Sequence, residues 1–232
     1  MIEAILPEVV ACEVAYDDPA PGPGEMVYPE EWERVARAVP KRQREFTTVR
    51  LLARRALLRL GRPPVPLLPS PRGAPGWPDG VVGSMTHCEG YRAAVVAGSG
   101  GTAAVGIDAE PDAPLPDGVL DVVALPEEAA SIASLAGRYP GTSWDRLLFS
   151  AKESVFKVWY PLTGAELDFS EARIEIDPAG AFRAELLVPG PLVGGERVAS
   201  FTGRWAAERS LVATAIHLPA PPEDGGLSGM SH

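Results

Sequence analysis

The 232-residue sequence is poor in cysteine, lysine and histidine, and it has no long apolar run. Its two cysteines, Cys12 and Cys88, exclude a disulfide framework, and no CxxC pair marks a zinc site. Cysteine usage of this kind fits a reducing compartment. No apolar stretch approaches the ~18 residues of a membrane span. Val9-Val10-Ala11-Cys12 bears a faint likeness to a lipoprotein cleavage site. However, Glu3 and Glu8 come first and no Lys or Arg precedes Arg34, whereas a signal peptide needs a basic start and a longer apolar stretch. The expected location is the cytoplasm, with no membrane partner. Lysine is the scarcest charge: three residues, at 41, 152 and 157, against 18 arginines. The bias reflects either base composition or, since two of the three fall within six residues, a place where a compact ammonium is wanted that a guanidinium does not imitate well.

What is present is a globular composition. Apolar residues make up 46% and charged residues 22%, enough for a core and incompatible with disorder throughout. The length fits one or two domains. The 24 Gly and 25 Pro predict many loops. The net charge of -10 argues against a general affinity for nucleic acid, but the charge is uneven. Arg34 to Arg62 holds ten Lys or Arg and one acid, Glu45, giving +9 and leaving -19 for the rest. That segment is either a solvated helix face, or an anion site or docking face for an acidic partner.

Periodicity predicts short strands within 2–16, a short helix over 30–38 and a long helix over 42–60, ended by Gly61 and Pro63-Pro64. Turn chemistry fills 63–83. Strands are expected at 92–97 and 103–107, a helix at 126–135, and a second long helix over 144–160, stopped before Pro161. Strands near 168–176, 182–188, 199–207 and 211–218 follow, then a disordered tail over 219–232. No fixed-period repeat is present, but each half has a long helix followed by strands. The expected fold is α+β, two similar α/β halves packed as a pseudo-dimer with a cleft between them. The expected division is 1–107 for the N-terminal half and 108–218 for the C-terminal half.

Three segments carry candidate chemistry. In Gly106-Ile107-Asp108-Ala109-Glu110, an apolar strand runs into two carboxylates. Alternate side chains share a strand face, so Asp108 and Glu110 are either converging ligands for a hard cation such as Mg²⁺ or ordinary turn acids. On the second long helix, Leu147, Leu148, Ala151, Val155, Val158 and Trp159 form an apolar stripe. Ser150, Glu153 and Lys157 lie opposite, bordered by Phe149 and Phe156. A helix packed on two sides turns its remaining polar strip into a cleft; the alternative is a surface Glu–Lys pair at i,i+4. The third segment, Gly83-Ser84-Met85-Thr86-His87-Cys88, offers hydroxyl and imidazole donors to an anion, or a structural histidine. A Cys88–His87 dyad is rejected, because neighbours in an extended chain point to opposite faces.

Together these segments resemble the 4′-phosphopantetheinyl transferases, and most closely the actinobacterial, broad-specificity branch of the Sfp/EntD-like group. The resemblance rests on Gly106 to Glu110, on Phe149-Ser150-Ala151-Lys152-Glu153-Ser154-Val155-Phe156-Lys157-Val158, and on Ser84 to Arg92. It also rests on Arg44-Glu45-Phe46 with Arg50 and Ala53-Arg54, and on Gly203-Arg204-Trp205. It spans about Arg42 to Leu218. It implies a pseudo-dimer with coenzyme A in the cleft and transfer of phosphopantetheine to a serine of acyl or peptidyl carrier proteins, with release of 3′,5′-ADP. Carriers of polyketide, nonribosomal peptide and fatty-acid synthesis are all open. By position, the resemblance implies a metal motif of Asp108, Ala109 and Glu110 with Glu153, holding Mg²⁺ or Mn²⁺. It implies phosphate contacts from Lys152 and Lys157, further coenzyme A contacts from Arg42, Arg50, Thr86 and His87, and weaker ones from Arg72 and Leu167. Pro69 stands where some relatives carry Lys. Glu153 and Lys157 are the implied catalytic pair in a protein expected to be monomeric. Two other functions compete: a Mg²⁺-dependent nucleotide phosphohydrolase, and a non-catalytic anion or nucleic-acid binder built on the Arg34–Arg62 segment.

Overall fold

A computed structural model of the chain describes residues 1–70 and 74–222. Strand β1 (Ala11–Ala15) is followed by a short helix α1 (Pro29–Trp32) and the long helix α2 (Pro40–Arg59). Strands β2 (Val81–Cys88) and β3 (Tyr91–Gly98) complete an antiparallel sheet ordered β1-β3-β2. Helix α2 packs on it through Leu52, Ala53, Ala56 and Leu57, which meet Ala94 and Val96. Strand β4 (Thr102–Pro111) opens the second half, followed by helices α3 (Val119–Val123), α4 (Pro126–Arg138) and α5 (Trp144–Thr163). Strands β5 (Ala172–Asp177), β6 (Ala181–Leu186), β9 (Ser200–Glu208) and β10 (Leu211–Pro219) join β4 in an antiparallel sheet ordered β4-β10-β9-β6-β5. A two-stranded hairpin of β7 (Leu192–Val193) and β8 (Glu196–Arg197) stands apart.

The two sheets meet edge to edge between β2 and β4, but by side chains rather than a backbone ladder. The Ser84 hydroxyl accepts the Ile107 N–H at 3.1 Å, and the Thr86 hydroxyl accepts the Ala109 N–H at 3.2 Å. Two hydroxyls thus satisfy edge N–H groups that burial would otherwise orphan. On one face of this joined surface, β3, β4 and β10 share a core of Ala93, Val95, Val105, Ile107, Ala109, Leu211 and Ala213 under the N-terminal segment. On the other face lie the helices, with α5 packed through Leu147, Leu148, Ala151, Val155, Val158 and Trp159.

Alternation along β4 decides what faces α5. Gly106 does, and a Cβ there would stand 2.2 Å from the Ser154 carbonyl oxygen. The missing side chain lets α5 lie directly on the strand, which brings Glu153 and Lys157 beside Asp108.

Several expectations change, among them the helix expected over 30–38, which is the single turn Pro29–Trp32. The division at 107/108 cuts β4, which belongs wholly to the second sheet; the break is the Gly-rich turn before Thr102. Helix α5 does not stop before Pro161 but carries it in its last turn. It ends at Gly164 (φ 67), whose N–H bonds the Tyr160 carbonyl at 2.8 Å, so the proline removes one late hydrogen bond rather than a turn. The segment before β3 is itself a strand, β2. The tail expected from 219 is ordered at its start: Pro219 closes β10, and the Ala220 N–H bonds the Gly101 carbonyl at 3.1 Å. Residues 223–232 of that tail lie outside the described residues.

Candidate active site

Between the first half and α5 lies a cleft of about 790 Å³. That is within the size range of small-molecule sites. Arg34, Arg42, Phe46 and Arg50 line one side, Leu68, Pro69 and Trp77 another, and Ser84, Met85 and His87 the floor strand. Glu153, Phe156, Lys157, Tyr160 and Pro161 close it from α5. The polar strip opposite the apolar stripe therefore faces a cleft rather than open solvent. Phe149 packs on Phe169, with ring centroids 6.1 Å apart, and Phe156 stacks on Tyr160 at 5.8 Å.

Basic groups gather along the α2 side. Arg50 is buried, lies over the Phe46 ring and donates Nε–H to the Leu67 carbonyl at 3.3 Å. Burial lowers its pKa to about 10, opposed by the Glu31 carboxylate 3.8 Å from Nε. Arg42 Nη1 lies 2.5 Å from His87 Nε2. Burial first, and Arg42 second, hold the His87 imidazole below its usual range. Other arginines of the basic segment are spent internally. Arg54 donates from Nη1 to both oxygens of the fully buried Glu31, Arg55 pairs with Glu25, and Arg59 with Glu13. Five of the segment's ten cations, Lys41 and Arg50 included, thus lie within 4 Å of acids from outside it.

At the end of β4, Lys157 Nζ donates to Asp108 Oδ1 at 2.7 Å and to the Ile107 carbonyl at 2.9 Å. The Thr86 hydroxyl donates to the same Oδ1 at 3.1 Å. Asp108 Oδ2 is buried and has no hydrogen-bond partner. Glu110 pairs with Arg146 at 3.2 Å. Burial and then Asp108 push its carboxyl up to about 7. Glu153 is also raised, by burial more than by Asp108, with Lys157 opposing. Among the described residues no preassembled cluster of three His, Cys, Asp or Glu is present. Two cations, Lys157 and Arg146, stand beside the acids instead. An orphaned carboxylate oxygen and two carboxyls raised by crowding and burial are nonetheless what a hard divalent cation would relieve, so the residues fit one.

This cost can be measured. With a folded-state pKa of about 7 against 4.5, Glu110 binds more protons folded than unfolded, so its ionisation destabilises the fold as pH rises from 4.5 to 7. In EDTA, wild-type unfolding free energy should fall between pH 5 and pH 8 relative to that of Glu110→Gln. Urea titrations at both pH values check it; parallel curves would contradict the assignment.

Several sequence-assigned residues are placed elsewhere. Lys152 does not reach the cleft: it is buried, ion-paired to Glu128 at 2.7 Å and bonded to the Phe169 and Ala172 carbonyls. Lys152 lies 100° round the helix from Glu153, on the side that meets Glu128 and Ala172. Thr86 is buried with its hydroxyl committed to Asp108 and Ala109, and it positions the strand end rather than lining the cleft. Leu167 packs against the C-terminal core. Ala109 is buried in the opposite core, where it presents no side-chain oxygen. Ser150 is buried against Thr214 instead of facing the cleft. Arg72 lies outside the described residues. Burial pushes the Cys88 thiol up to about 12, so it stays protonated.

Lys152→Ala should cost about 3–5 kcal/mol by stranding Glu128, which also accepts the Leu125 and Ile174 N–H groups. Denaturant unfolding checks this. Coenzyme A affinity measured well below the melting temperature should stay normal; a selective loss of that affinity would restore Lys152 as a phosphate contact.

Sequence reasoning missed Arg146. A signal existed: 146, 153 and 157 are spaced by seven and four, which places them on one helix face.

Both halves of the chain match known proteins. The 4′-phosphopantetheinyl transferase N-terminal domain model matches residues 30–97, and the 4′-phosphopantetheinyl transferase superfamily model matches 104–208. The chain is 62% identical over 222 residues to 4′-phosphopantetheinyl transferase Svp of Streptomyces mobaraensis, covering 95% of this chain and 90% of the relative. It is 44% identical to PptT of Mycobacterium tuberculosis over 94% of this chain and 98% of that one. For Npt of Nocardia iowensis the identity is 45%, over 93% and 99%. With both halves matched in order and the cleft between them built as described, the chain belongs to the 4′-phosphopantetheinyl transferase family.

Proposed function

We propose that the protein transfers 4′-phosphopantetheine from coenzyme A to a serine of an apo acyl or peptidyl carrier protein and releases 3′,5′-ADP. The observation that carries this is the arrangement on α5. Glu153 and Lys157 sit one turn apart facing the cleft, and Lys157 reaches Asp108, whose second oxygen is buried and unpaired.

Coenzyme A is long, anionic at both its 3′-phosphate and its pyrophosphate, and apolar in part, and the cleft matches that sequence of needs. Arg42, Arg50 and His87 suit the 3′-phosphate. An anion there lets the His87 imidazole take up a proton and adds counter-charge to Arg50, which shares the Glu31 carboxylate with Arg54. Phe156, Tyr160, Trp77 and Met85 supply apolar wall. The pyrophosphate then falls toward Lys157 and the carboxylates.

In the transfer itself, the serine Oγ–P bond forms and the P–O bond to the adenosine-side phosphate breaks. The serine proton passes to Glu153, whose raised pKa suits a base working near neutral pH. Lys157 Nζ stabilises charge that develops on the phosphoryl oxygens. Asp108, Glu110 and Glu153 would hold Mg²⁺, or Mn²⁺, and such an ion supplies neutralisation of pyrophosphate charge when bound. Thr86 and Lys157 keep Asp108 oriented meanwhile.

Incubation with coenzyme A and an apo carrier protein, with Mg²⁺ or with EDTA, tests the reading by intact mass. The carrier should gain one phosphopantetheine group only with Mg²⁺. Hydrolysis of coenzyme A without carrier modification would favour a phosphohydrolase instead.

A further inference from the structure

We infer that Arg146 is a positioning residue of the metal site: it fixes Glu110 as a ligand and ties the strand that carries it to the catalytic helix. The inference rests on the metal reading given above.

Arg146 stands in the first turn of α5, and its side chain is only 16% exposed. Its guanidinium makes three contacts that converge on one short stretch of chain. Nη1 donates to Glu110 Oε2 at 3.2 Å, Nε to the Ala113 carbonyl at 3.0 Å, and Nη2 to the Pro114 carbonyl at 2.9 Å. The backbone contacts hold the guanidinium whether or not Glu110 has another partner. A planar fork with fixed donors achieves this; a single ammonium does not.

Neighbouring bonds point the same way. Asp145 accepts the Leu115 N–H at 2.8 Å, and Asp112 accepts the Ser143 N–H at 2.6 Å. The chain leaving β4 is therefore laced to the start of α5 on both sides of the Ala113 and Pro114 carbonyls that Arg146 holds.

The two β4 carboxylates are thus held alike. Asp108 is gripped at Oδ1 by Thr86 and Lys157, and Glu110 at Oε2 by Arg146. Each grip takes one oxygen and leaves the other for a cation. Outer groups that orient metal ligands commonly change affinity by about 10- to 100-fold when removed.

The test uses the full chain as Arg146→Ala and Arg146→Lys. Mn²⁺ binding is measured by the electron paramagnetic resonance of free Mn²⁺, with coenzyme A present and no carrier. Half-saturating Mg²⁺ for transfer, the KM for coenzyme A at saturating Mg²⁺ and the melting temperature are measured alongside. Arg146→Ala should weaken Mn²⁺ and raise half-saturating Mg²⁺ about tenfold or more, with the coenzyme A KM within about twofold. Arg146→Lys, which keeps the charge without the fork, should recover part of that loss and serves if the alanine variant fails to fold. Lower melting temperatures with unchanged metal binding in both variants would make Arg146 a structural staple alone and overturn the inference. Tighter metal binding would overturn it too, by making Arg146 a competitor for Glu110. Wild-type protein that binds no Mn²⁺ would overturn the metal reading, and this inference with it.

Discussion

Glu153→Gln should slow single-turnover transfer by about 10²–10⁴ while coenzyme A binding stays within about tenfold of wild type. The substitution keeps the side-chain length and one oxygen ligand but cannot take up a proton. The structure sharpens the expectation. Glu153 faces the cleft on the same helix face as Lys157, and burial raises its carboxyl above the usual range. A group poised in this way loses its function when it loses its basicity, with little change in shape. Rapid-quench transfer beside calorimetric titration of Mg²⁺ and coenzyme A measures both quantities. A near-normal transfer rate would remove Glu153 as base. Lost coenzyme A binding with unchanged chemistry at saturation would make it a ligand only.

Asp108→Asn should reduce transfer by about 10²–10³ and barely move the melting temperature. Asparagine keeps an oxygen for the Thr86 hydroxyl and Lys157, so the grip at Oδ1 survives in part. It replaces the orphaned Oδ2, the atom best placed for a cation, with an amide that repels one. Loss of the ion pair with Lys157 destabilises. Relief of repulsion with Glu110 and Glu153, both raised in part by Asp108, stabilises. The net effect on folding is small because these oppose each other, while the effect on transfer is one-sided. Carrier modification and a melting curve, each with EDTA and with Mg²⁺, distinguish the two. Transfer that survived both the substitution and chelation would end the metal assignment.

The sequence made α5 legible because its apolar positions recur at helical spacing, and it made Asp108 and Glu110 neighbours because strands alternate. Helical spacing also held a signal about Lys152 that the sequence reading did not use. Residues 148, 152, 155 and 159 share one face, so the lysine falls on the apolar stripe, although motif matching assigned it to phosphate. What stayed hidden lies between distant segments. Nothing in the local sequence reveals that Ser84 and Thr86 join two sheets, since their partners are 23 residues away. The buried Glu128 and Glu31, which absorb Lys152 and Arg54, read locally as ordinary surface acids of short helices. Pro161 misled because a proline near a helix end removes only one bond, and Gly164 is the stop.

Strand order has a consequence for how the protein is made. Strand β10 lies between β4 and β9, and its Thr214 stands opposite Asp108. The strand that carries the β4 carboxylates therefore acquires its backbone partner from residues more than a hundred positions later. Closing so long a loop costs entropy before any contact repays it, so this pairing is expected late in folding. A nascent chain emerging from the ribosome can build the β1-β3-β2 sheet with α2, but β4 keeps an open edge until residues 211–219 arrive. The transferase site is thus withheld during synthesis, and premature termination before Leu211 yields a chain with every motif of the site and no site.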